Sequence, residues 1–131
     1  MKSSVKPIAL GASIAVAAAL LTGPAEASQS LPTLVLSLKF EDALLGNSVT
    51  LGCDEDDASG SHPRRTAACA AIQTANGDFD RLRPTGQNCT MIYNPIVARA
   101  VGRWHGRQVT FEHTFGNPCA AASQSADVFR F

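Results

Sequence analysis

From Leu34 onward the chain alternates. Leu34, Leu36, Leu38 and Phe40 fall on one side and Val35, Ser37 and Lys39 on the other, the period-two pattern of a strand with one buried face. A polar bend follows at Gly46-Asn47-Ser48, and the β-prone run Val49-Thr50-Leu51 leads into Cys53 as a second strand. Past an acidic stretch, Ser61-His62-Pro63 precedes a run in which Ala68, Ala71, Ile72 and Ala75 recur at helical spacing, which predicts an amphipathic helix. Pro63 suits the first turn, where a missing N–H costs no intrahelical bond, and Asn76-Gly77 is a stop signal. Two β-prone runs, Ile96 to Trp104 and Arg107 to Phe115, flank a turn at His105-Gly106. In the second, Val109, Phe111, His113 and Phe115 alternate with Gln108, Thr110, Glu112 and Thr114, so the pair reads as an antiparallel hairpin. Asn117-Pro118 caps a short helix through Ala120, Ala121 and Ala122, and Val128-Phe129-Arg130-Phe131 reads as a terminal strand. Strands with a few helices on one face make an α+β domain.

The first 27 residues follow a different rule. Lys2 and Lys6 precede an apolar stretch from Ile8 to Leu21, and Ala25-Glu26-Ala27 supplies a small-x-small cleavage site. This is the layout of a signal peptide, and the stretch is shorter than the roughly 20 residues of a permanent span. Residues 1–27 are therefore read as an export signal and 28–131 as one domain of a secreted, extracellular protein, with no membrane contact in the mature form. Its 104 residues fit a single core. Nine Lys and Arg against ten Asp and Glu remain after cleavage, and this near balance does not suggest a nucleic-acid partner.

Export changes the meaning of Cys53, Cys69, Cys89 and Cys119, all in the mature part. An even count in an oxidising compartment predicts two disulfides. Four cysteines allow three pairings; Cys53 with Cys69 and Cys89 with Cys119 is preferred, because sequential pairs close short loops between neighbouring elements. None of the spacings resembles the closely spaced pair of a structural zinc site, so neither metal nor cofactor is expected.

Catalytic chemistry has little to work with. His62 precedes a helix-starting proline, His105 occupies a turn and His113 shares a strand face with apolar residues, and nothing places a nucleophile and an orienting partner around any of them. Asp78 and Asp80 flank Phe79 in a turn setting. Enzyme activity is not expected. The informative stretch is Gly86-Gln87-Asn88-Cys89-Thr90-Met91-Ile92-Tyr93-Asn94-Pro95, where apolar Met91 and Ile92 lie between a cysteine and a proline. Apolar side chains on an exposed loop ask for a partner; the other reading is an edge strand burying Met91 and Tyr93, since so few residues do not separate strand from loop. Asn88-Cys89-Thr90 also fits the N-glycosylation pattern, which is read as unused.

Several ordered motifs resemble those of the Streptomyces subtilisin inhibitor family. Gly60-Ser61-His62-Pro63, four residues, then Ala68-Cys69 is similar to its signature segment, and Cys89-Thr90-Met91-Ile92-Tyr93-Asn94-Pro95 to its protease-binding loop. Trp104-His105-Gly106-Arg107, Phe115-Gly116-Asn117-Pro118-Cys119 and Val128-Phe129-Arg130-Phe131 resemble its later segments. The resemblance implies a five-stranded antiparallel sheet with two helices, the same sequential disulfide pairing, and a homodimer joined through sheet faces. It also implies inhibition of subtilisin-like, and also chymotrypsin-like, serine proteases by a substrate-like loop. On it Met91 would be P1 and Ile92 P1′, with Cys89, Thr90, Tyr93, Asn94 and Pro95 contacting the protease. The chain departs from the family in carrying Asp54-Glu55-Asp56-Asp57 where members often have prolines, and Thr90 where they often have a proline. The competing expectation is a secreted, disulfide-stabilised binding module that has lost inhibition.

Overall fold

The computed structural model describes residues 33–54 and 57–131, with isolated positions at 5, 11, 19 and 23. The export signal, its cleavage point after Ala27, and Glu55 and Asp56 of the acidic loop lie outside the described residues. Five strands form one antiparallel sheet in the order β3-β2-β1-β4-β5: β1 (Thr33–Phe40), β2 (Asn47–Cys53), β3 (Ala58–Ser59), β4 (Ile96–Trp104) and β5 (Arg107–Phe115). Helices α1 (Arg65–Thr74) and α2 (Pro118–Gln124) complete the domain. Among the described residues no helix is long and apolar enough to cross a membrane.

The alternation in β1 carries the core. Leu34, Leu36 and Leu38 are buried and pair with Gly102, Ala100 and Ala98 of β4. Large side chains on one strand beside small ones on its neighbour leave room for Ile72 of α1 and for Val128 and Phe129, all buried in the same cluster. Two disulfides tie this layer together, Cys53–Cys69 joining β2 to α1 and Cys89–Cys119 joining a long loop to α2. These are the preferred sequential pairs; with separations of 16 and 30 residues, they contribute about 3 to 4 kcal/mol each in the chain-entropy account.

The ends of the elements are set by local chemistry. His105 and Gly106 both take positive φ (44° and 77°) between the paired residues Trp104 and Arg107, the conformation that a two-residue hairpin turn demands. Helix α1 ends as Asn76-Gly77 predicts: Asn76 N–H donates to Gln73 O and Gly77 N–H to Ile72 O, closing a Schellman motif with both residues at positive φ. At its start, Pro63 lies in a turn just before the helix rather than within it. The first helical turn has no acidic residue, and Arg64 provides no side-chain cap. The buried imidazole of His62 acts instead, accepting from Arg64 N–H at 2.9 Å through Nδ1. That fixes the tautomer, so Nε2–H donates to Val128 O at 2.8 Å.

Three expectations are corrected. The chain's end is not a strand: Ala126 and Asp127 take positive φ, Val128 N–H donates to Ser125 O and Arg130 N–H to Asp127 O, so Val128-Phe129 enter the core from a turn as consecutive buried residues. The fifth strand is instead Ala58–Ser59, which pairs with Cys53 and Gly52 at the sheet edge and is too short to show any alternation. Asn47 and Ser48, expected in a bend, pair with Leu38 and Ser37 as the first residues of β2.

Gly77 gives the sharpest test of this packing. A Cβ there would lie 2.3 Å from Trp104 Cδ1 at a φ of +76°. Gly77→Ala adds both a left-handed strain and an overpacking term, so urea denaturation should show a loss of about 2 kcal/mol or more. A loss under about 0.5 kcal/mol, the range of an ordinary surface change, would mean that the Trp104 contact is not what fixes this turn.

Candidate functional site

Between a 3₁₀ turn at Phe79–Arg81 and β4 the chain runs through Leu82–Pro95 without regular structure. It is nonetheless held along its length. Phe79 and Leu82 are buried at its start. Thr85 N–H donates to Ser123 O at 2.8 Å, the Thr85 hydroxyl to Ser123 Oγ, and the Ser123 hydroxyl to Gln87 O. The Gln87 side-chain carbonyl accepts from Arg130, whose Nε–H also donates to Asp127. Cys89 is bonded to Cys119, and on the far side Asn94 N–H donates to Gly116 O at 2.8 Å.

Between those two anchors the loop leaves the surface. Met91 is 97% exposed, Ile92 68% and Tyr93 78%, and residues 90–95 pair with no strand. The edge-strand reading of Met91 and Tyr93 is thereby overturned: both side chains face outward. A free loop would collapse its apolar side chains onto the body, and here one side chain restrains the backbone. Asn117 Nδ2 donates to Thr90 O at 3.1 Å and to Ile92 O at 2.9 Å, fixing the carbonyls on both sides of Met91 while leaving its side chain untouched. The amide orientation follows from the network: Asn117 Oδ1 accepts from Ala120 N–H at 2.8 Å as the N-cap of α2, so the NH₂ is left for the two carbonyls.

The arrangement places the Met91-Ile92 peptide on a protrusion. Its backbone is restrained on both sides while a long unbranched apolar side chain stays in solvent. Cys89, Thr90, Tyr93, Asn94 and Pro95 flank this peptide as read from the sequence, and the disulfide and Pro95 bracket it. The histidines do not gather around it: His62 is interior, His105 packs edge-on against Trp104, and His113 lies between Phe111 and Phe115. Among the described residues no group of three or more His, Cys, Asp or Glu side chains is arranged to hold a metal ion.

Asn117 is the residue that sequence reasoning undervalued. Read as a cap alone, it could have been Ser or Asp. An asparagine is the cap type that keeps two donors free after capping, and it stands two residues before the cysteine that anchors the loop.

Residues 32–117 match the family model described as subtilisin inhibitor-like. A protease inhibitor of Streptomyces luteoverticillatus is 46% identical over 64% of this chain and 79% of its own length. A subtilase-type protease inhibitor of Streptomyces fradiae is 38% identical over the whole of both chains. Among solved structures, Streptomyces caespitosus sermetstatin in complex with Bacillus licheniformis subtilisin superposes with a TM-score of 0.62 at 29% identity, over 76% of this chain and 98% of the other. With more than half of its length matched by the family model and relatives of this similarity, the chain belongs to the subtilisin inhibitor-like family, a family of protease inhibitors and not of enzymes.

Proposed function

We propose that this chain inhibits subtilisin-like serine proteases, and chymotrypsin-like ones with similar pockets, by presenting Met91-Ile92 as a substrate-like bond. The observation that carries the reading is the Asn117 clamp: a nearly fully exposed Met91 between two carbonyls held by one amide. A substrate loses backbone and side-chain freedom when a protease extends it, about 0.5–1.5 kcal/mol per ordered side chain. Here the disulfide, Asn117 and Pro95 have removed much of that freedom beforehand. Thr90, where the family resemblance leads to an expectation of proline, is compensated in part because its carbonyl is one of the two that Asn117 holds.

In this reading Met91 fills the S1 pocket, where a long unbranched apolar chain suits a hydrophobic slot and leaves a trypsin-like carboxylate unpaired. The protease serine attacks the Met91 carbonyl carbon, its proton passes through the catalytic histidine to the departing Ile92 nitrogen, and an acyl-enzyme forms. The Ile92 amine does not diffuse away, because Asn117 and the Asn94–Gly116 bond hold the new end in place. Its effective concentration at the acyl carbon favours resynthesis over attack by water. The inhibitor acts after export and cleavage following Ala27, as a homodimer joined through the outer sheet face, where Val35 and Val101 pair across β1 and β4 and are half-exposed.

Titrating subtilisin with the purified protein should give a stoichiometric fall in activity. Steady digestion of the protein would instead favour a binding module that has lost inhibition. Met91→Lys should gain trypsin inhibition at least about tenfold while weakening against subtilisin; if neither changes, Met91 is not P1. Asn117→Ser keeps a good N-cap, so global stability should move by less than about 0.5 kcal/mol, yet mass spectrometry should find cleavage at Met91-Ile92 at least about ten times faster. An unchanged cleavage rate would remove the clamp from the mechanism.

A further inference from the structure

Among the described residues of the domain seven large apolar side chains are exposed: Val35 and Val101 on the outer sheet face, Met91, Ile92 and Tyr93 on the loop, and Leu44 and Leu45. The two leucines, 96% and 86% exposed, take no part in the core or the clamp. They sit on the connection from β1 to β2, which is tied down: Ala43 N–H donates to Phe40 O at 3.1 Å and Lys39 Nζ to Ala43 O at 2.8 Å. A Cβ on Gly46, at the end of the connection, would strike Leu38 O at 2.3 Å.

This connection and the Met91 loop leave the same end of the sheet. Phe40 pairs with Ile96, and Glu41 N–H donates to Pro95 O at 3.2 Å, so the first residue after β1 is bonded to the last before β4. Leu44 stands three residues beyond that bond and Ile92 a similar reach before it. At about 3.8 Å per residue each lies within roughly 11 Å of the bond. A standard protein interface covers about 800 Å² per partner, roughly 30 Å across, enough to include both. A groove of about 600 Å³ nearby is lined by Leu45, Phe40, Ile96, Gln87, Pro118 and Cys119.

We propose that Leu44 and Leu45 form a second contact with the same protease that takes Met91, reaching an apolar patch beside the groove that receives the residues after the scissile bond. The inference rests on the reactive-loop reading and adds a specificity determinant outside the loop. Glu41 and Asp42, both exposed, favour a partner patch with basic groups at its rim. An enzyme with the same S1 pocket but a polar surface at that place is inhibited less tightly.

The test is the double variant Leu44→Ser, Leu45→Ser, measured for inhibition constant and dissociation rate against subtilisin, with sedimentation of both proteins. Neither leucine is buried, so thermal unfolding should not change. The expected result is stoichiometric inhibition at high concentration with an inhibition constant raised at least about tenfold, mostly through faster dissociation, and an unchanged sedimenting mass. A constant within about twofold of the parent overturns the contact. So does a changed mass with an unchanged constant, which assigns the leucines to a second copy of this chain. If Met91→Lys alters inhibition while the leucine variant does not, the reactive loop stands and only this contact falls; if the parent chain does not inhibit at all, both fall.

Discussion

Everything at the business end of this domain depends on keeping apolar side chains in water without letting the backbone beneath them relax. Burial is the ordinary way to hold a chain still, and it is not available to Met91, Ile92 and Tyr93, which stay exposed. The fold substitutes a covalent bond at Cys89, main-chain hydrogen bonds at Thr85 and Asn94, and the Asn117 amide at the centre. The core of Leu34, Leu36, Ile72 and Phe129 matters to function mainly because it fixes the place of α2, from which Asn117 and Cys119 project.

Sheet and hairpin were readable because their physics is local. Alternation from Leu34 to Phe40 and in β5, and a turn whose two residues tolerate positive φ, specify strands and register without distant information. The C-terminus misled for the same reason. Val128 and Phe129 look β-prone, but their position is decided by Ala126 and Asp127 adopting left-handed backbone and by a buried His62, 66 residues away, donating to the Val128 carbonyl. Neither feature has a local signature. The short β3 exists because β2 offers it an edge, and two residues carry no period.

The candidate site was legible in its composition and in its resemblance to a family, but not in its mechanics. Cysteine, methionine and proline in one short stretch marked the loop. What holds Met91 outward comes from Asn117, 26 residues downstream, acting through a side chain that reads as a helix cap. Sequence patterns report which residues share an element; they seldom report that one amide serves two elements.

That double duty has a thermal consequence. The seven-residue α2 lacks the length to be helical on its own, so its first turn and the clamp on Thr90 and Ile92 rest on the same asparagine. Fraying of α2 releases the loop, and helix ends fray at a lower free energy than the global transition. The domain can therefore loosen its hold on the Thr90 and Ile92 carbonyls on warming while its sheet and disulfides are still intact. The order of the exposed loop is then limited by one short helix before it is limited by the core.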